Sequence, residues 1–189
     1  MTENFEGEFP GTKWTLWGSP TWDDESYRPY SGYWSGWCAG STRTPPGPYP
    51  PNMHARMIYG PFSLSDATDA GFWFYYWLDS EQNYDYLFFG ASIDGTTFYG
   101  YQYSGRWRYW HEDYFDLTEV PTLGNLCGRP QVWISFLFHS DETIQYEGAY
   151  LDDIALFKYC GSYPLKKVIP LKEKEKKGVK KIPAFMKME

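Results

Sequence analysis

The chain has 189 residues, enough for one domain with an appendage. Its 22% aromatic content, with 18 Gly and 14 Pro, favours pleated sheet over helix, and no apolar run of about 18 residues is present to cross a membrane as a helix. The net charge of −7 divides into −13 over residues 1–163 and +6 over 164–189, and so acidic a body argues against nucleic acid as a partner.

Residues 3–18 read as an entry segment ending in an aromatic strand. A Gly-rich stretch with two short strand candidates follows, then STRTPPGPYPPN, a loop in which six residues are Pro or Gly. NMHARMIYG is a strand and PFSLSDATDA a turn-rich connector. GFWFYYWLD is a nearly continuous apolar run, the signature of a central strand covered on both faces. NYDYLFFGASID and TTFYGYQY flank Asp94-Gly95, a type I′ hairpin signal. RWRYWHEDYFDL, QVWISFLFHS and GAYLDDIALFKY close the body, and Val132, Ile134, Phe136 and Phe138 alternate toward a core. About nine to eleven strands and no helix make the body, 1–163, an all-β, two-sheet antiparallel sandwich.

Residues 164–189 form a basic C-terminal tail, strand-like and then extended. Leu165, Ile169 and Leu171 alternate as an edge strand would, and Phe185 is the largest side chain of a second apolar patch. Open sheet edges accept an added strand. The tail is therefore expected to pair with a neighbouring copy, which would make the chain a self-assembling filament or surface-layer subunit. The alternative is docking on its own body.

Trp73, Tyr75 and Trp77 share one face of a strand, and Phe72, Phe74, Tyr76 and Leu78 the other. If the second set is core, the first offers flat rings to carbohydrate or to a partner. The three histidines, His54, His111 and His139, fall in no HExxH pattern, and no GxSxG occurs. The expectation is a protein without catalytic residues, with a glycan-active enzyme as the outside alternative. Cys38, Cys127 and Cys160 have no zinc-ligand spacing. No apolar leader follows Met1, so an extracellular home expects the mature form of the chain.

Phe5-Glu6-Gly7 before an early Trp, Trp37-Cys38, NMHARMIYGPFSLSDATDA, FYYWLD, NYDYLFFGASIDGTTF, LCGRPQVWISFLF and YEGAYLDDIAL occur in that order from about Phe5 to Phe157. Together they resemble the MAM-like jelly-roll domain found beside immune inhibitor A type secreted peptidases, related to cleaved-adhesin and choice-of-anchor modules. The resemblance implies an extracellular, non-catalytic jelly roll serving adhesion or contact with surface polysaccharide. It also implies one structural Ca²⁺, with Glu6 and one Asp of Asp152-Asp153 as ligands. Asp152 is the choice if it shares the inward face of Ile154 and Leu156, and Asp23 or Asp24 would add an oxygen. Cys38 and Cys127 lie inside the matching motifs, which implies that they pair and leave Cys160 outside.

Overall fold

The computed structural model describes residues 1–161 and 182–187. Among them are twelve strands and no helix: β1 Thr2–Glu3, β2 Trp14–Trp17, β3 Asp23–Glu25, β4 Ser35–Trp37, β5 His54–Phe62, β6 Asp69–Asp79, β7 Tyr86–Ser92, β8 Thr97–Tyr103, β9 Arg106–Asp116, β10 Val132–His139, β11 Gly148–Tyr159 and β12 Ile182–Lys187. The first sheet runs β3-β4-β11-β6-β9, with β1 also pairing β11; the second runs β12-β8-β7-β10-β5-β2. Every pairing is antiparallel, and the two sheets pack as a jelly-roll-like sandwich.

The core follows from alternation. Phe72, Phe74, Tyr76 and Leu78 of β6 meet Ile134, Phe136 and Phe138 of β10, all buried. Phe74 and Phe136 touch edge to face at 5.0 Å. A second, smaller cluster lies on the outer face of the second sheet, where Ile58, Phe88, Phe98 and Leu137 are buried with Ala184 and Met186 against them.

The Asp94-Gly95 hairpin forms, but not as the two-residue turn expected. Four residues separate β7 from β8, and of the pair only Gly95 has positive φ. Asp94 instead accepts the N–H groups of Thr96 and Thr97, both at 2.8 Å, and these bonds hold its carboxyl down at about 2.

In β11 a bulge between Asp152 and Ala155, with Asp153 at φ 45°, resets the alternation. Ile154 points into the core, whereas Asp152 pairs across from Tyr75 on the outer face. The parity expected of Asp152 is thus corrected by one inserted residue.

The expected assembly strand around Leu165, Ile169 and Leu171 lies outside the described residues. The second apolar patch of the tail, with Phe185, falls on β12, which pairs with β8 of the same chain, Phe185 opposite Tyr99.

Candidate functional site

The outer face of the first sheet carries the ring row of β6, but one loop closes over half of it. Residues 27–34, between β3 and β4, cross this face. Arg28 lies 4.0 Å above the Trp77 ring and holds Glu147 through both carboxylate oxygens, at 2.8 and 3.1 Å. Tyr30 stacks on Tyr75 at 3.7 Å and meets Trp110 edge-on. Trp77 is therefore buried and Tyr75 is capped, so the expected three-ring platform is not open along its length.

Trp73 remains half-exposed and begins a different row, running across strands instead of along one. It meets Tyr114 of β9 at 4.5 Å. Tyr114 stacks on Phe157 of β11 at 6.1 Å and 11°, and Phe157 touches Tyr159, itself 43% exposed. Sequence alternation could nominate Trp73 but not its neighbours, since only strand register brings β9 and β11 beside it. The covering loop also turns Tyr33 and Trp34 outward.

Two carboxylates anchor that loop. Asp152 is fully buried; its Oδ2 accepts the N–H of Tyr30 (2.8 Å) and Ser31 (3.1 Å), and its Oδ1 accepts that of Asp153 (2.7 Å). Burial dominates its proton affinity and raises the carboxyl to about 6, against the lowering effect of those bonds. Glu6 is exposed, and its Oε1 accepts the N–H of Tyr33 (2.6 Å) and Trp34 (2.8 Å). Gly32, between Ser31 and Tyr33, has φ +62°, and a Cβ there would stand 2.3 Å from Glu6 Oε1.

Glu6 and Asp152 thus hold the same loop through its backbone N–H groups. Asp23 and Asp24 sit on β3, in register with Trp37 and Gly36. No three of these four carboxylates gather into one site among the described residues. The only such group there is Glu81, Asp85 and Asp141, which the sequence reading missed because the members come from two distant turns. Asp85, buried, accepts the Tyr49 hydroxyl and the Asp141 N–H, while Thr143 donates its N–H to Asp141 and its hydroxyl to Glu81. The cluster is thereby the tie between two turns.

The three thiols are unpaired. Cys38 is buried and accepts the Ala149 N–H, beside Leu78 near one end of β6. Cys127 feels the charges of Asp69 and Asp116, at the other end. The intervening strand length, roughly 30 Å, is far beyond the reach of a disulfide. This corrects the expected Cys38–Cys127 bond. Cys160 is exposed and donates to Asp66.

On the second sheet, Arg56 is 1% exposed and lies over the Phe98 ring, and its two terminal nitrogens meet no acceptor among the described residues. Burial lowers its pKa to about 10.

No protein-family model matches the chain, and no curated protein matches it in sequence. Solved structures share its fold. The K1 cleaved-adhesin domain of Lys-gingipain from Porphyromonas gingivalis W83 aligns with TM-score 0.54 and 14% identity, over 84% of this chain and 98% of that one. The C-terminal family 22 carbohydrate-binding module of Clostridium thermocellum Xyn10B aligns with TM-score 0.53 and 13% identity, over 84% and 92%. TmCBM61, solved with β-1,4-galactotriose, aligns with TM-score 0.52 and 13% identity, over 82% and 94%. The cleaved-adhesin side of the sequence resemblance therefore holds at the level of fold. The fold does not bear on the immune inhibitor A side.

Proposed function

We propose that this chain is a non-enzymatic extracellular contact module that binds polysaccharide through the ring row Trp73, Tyr114, Phe157 and Tyr159. The observation that carries the reading is that row: four rings from three strands in succession on one outer sheet face. Flat apolar faces edged with hydroxyls suit sugar rings, and aromatic side chains dominate contact surfaces of this kind. The fold relatives agree with it, since one was solved with a galactotriose and another is a carbohydrate-binding module.

Calcium belongs to the same reading. Glu6 and Asp152 would hold the ion, and the chemistry of the pair fits a hard cation in being all-oxygen. Both carboxylates already accept backbone N–H groups, so the ion would share them with the loop. Bound there it would fix the loop that caps Tyr75 and Trp77.

Affinity electrophoresis through gels containing neutral and acidic polysaccharides tests the contact surface. Retardation by at least one polymer is expected, with loss of that retardation in a Trp73→Ala, Phe157→Ala double variant. Unchanged retardation in the double variant would remove the row from the binding surface. Release of reducing ends from the polymer would overturn the non-enzymatic reading.

A further inference from the structure

A cleft of about 340 Å³ lies at the end of the sandwich where β6 turns into β7 and β8 into β9. That is the opposite end of β6 from the half of the ring row nearest Tyr159, which pairs with Asp69. Its size is within the range of small-ligand sites. Trp107, Tyr86, Gln82, Asn83 and Gln102 are among the residues that line it, and none of the described lining residues is charged.

The lining is braced. Trp107 is held against Tyr103 at 5.4 Å and Tyr76 at 6.1 Å. The Asn83 N–H donates to Ser104 Oγ at 2.6 Å, and Ser104 donates to the Glu81 carbonyl at 2.9 Å, which ties the two turns together. Gly105, at φ +109°, leaves the gap in which Gln82 and Trp107 converge. A Cβ there would lie 2.4 Å from Gln82 Oε1 and 3.3 Å from the Trp107 indole nitrogen.

The remaining wall is the C-terminal strand. β12 pairs with β8 so that Ile182 stands opposite Gln102, and Ile182 is one of the residues that line the cleft. Removing β12 would leave the cleft open on that side.

We propose that this cleft is a second sugar site, selective for a neutral saccharide and completed by Ile182 of β12. Carboxamides both donate and accept, as sugar hydroxyls do. A rigid indole supplies a flat face for the apolar side of a pyranose ring. The described lining residues offer no charge to a uronate or a sulfated sugar, whose buried charge would find no partner among them. The inference rests on the reading that the chain contacts carbohydrate, but it uses residues separate from the ring row.

Isothermal titration of the full chain with neutral tri- and tetrasaccharides of glucose, xylose and galactose, at low and high salt, tests it. The Trp73→Ala, Phe157→Ala variant is expected to keep one salt-independent binding event. Adding Gln82→Ala or Ile182→Ala to that variant should weaken the event about tenfold, and Trp107→Phe should alter it. Gln82 and Ile182 are exposed, so those variants keep the fold. If the row variant binds nothing, or if Gln82→Ala, Ile182→Ala and Trp107→Phe all leave its affinity unchanged, the second site is refuted while the contact-module reading stands. If the unaltered chain binds no saccharide in the titrations and no polymer in the gels, the contact-module reading itself fails.

Discussion

Tyr30 lies flat on Tyr75, their rings 3.7 Å apart and 13° from parallel, and the Tyr30 N–H donates to Asp152, the residue paired across from Tyr75. Stacking and hydrogen bond hold the same loop to the same two strands. Asp152→Ala would leave the N–H groups of Tyr30, Ser31 and Asp153 without their acceptor, at a cost of about 1–3 kcal/mol. Asp152→Asn keeps an acceptor oxygen and removes a buried charge, so its loss should be smaller. Urea midpoints of the two variants check the order; equal losses would mean that charge, not acceptance, anchors the loop.

Calcium should act through the same loop. A ligand that binds only the native state adds about 2.7 kcal/mol at one hundred times its Kd. Chelator is expected to lower Tm, and Asp152→Ala or Glu6→Ala to abolish that sensitivity. A wild-type Tm indifferent to chelator and to added Ca²⁺ would exclude the ion.

Much of this arrangement was legible in the sequence, and the exceptions have physical causes. Period-2 alternation placed Val132, Ile134, Phe136 and Phe138 in the core, because burial on one sheet face leaves that pattern directly, whereas on β6 it separated Phe72 and Phe74 from Trp73 without saying which set is core. Asp152 was misplaced because the bulge that begins at Asp153 inverts parity without a compositional sign. Trp77 was read as a platform ring because its cover, Arg28, comes from 49 residues upstream. The Trp73–Tyr114–Phe157 row needs the register of three strands, which no single stretch contains. The cysteine pairing came from motifs alone, and motifs carry no distance.

Among the described residues, Arg56 carries a buried charge with no acceptor at its two terminal nitrogens, beside Phe98 and its apolar neighbours. Replacing such a group with an apolar one of similar length removes a desolvation cost. Arg56→Met should therefore raise stability by about 1–3 kcal/mol, read as a higher denaturant midpoint at unchanged slope. A lower midpoint would show that the guanidinium has a partner in solution.

His139, half-buried and stacked on Tyr86, has a pKa lowered below 6.5, chiefly by burial. The charges of Asp85 and Asp141 oppose that shift. The unfolded chain then binds more protons at this residue than the folded one. Its neutral form is compatible with the fold, so its contribution is intact above the unfolded value and is lost as pH falls through 6.5 toward the lower folded value. The stability difference between wild type and His139→Gln should shift against the wild type on acidification through that window. A difference constant from pH 7 to pH 5 would refute the assignment.

The last expectation concerns β12. Ala184 and Met186 join the apolar cluster of Ile58, Phe88, Phe98 and Leu137, while Phe185, 68% exposed, leans on Tyr99 from the other face. The strand is joined to the body it pairs with through residues 162–181. Such a tether gives a local concentration near millimolar, so pairing within one chain outcompetes pairing between copies in dilute solution. Light scattering should find a monomer at micromolar concentration, in high salt and low. Met186→Asp should expose residues 182–187 to proteolysis without changing the mass. A larger species that Met186→Asp dissolves would instead establish exchange of this strand between copies, restoring the self-assembling subunit first suggested by the tail.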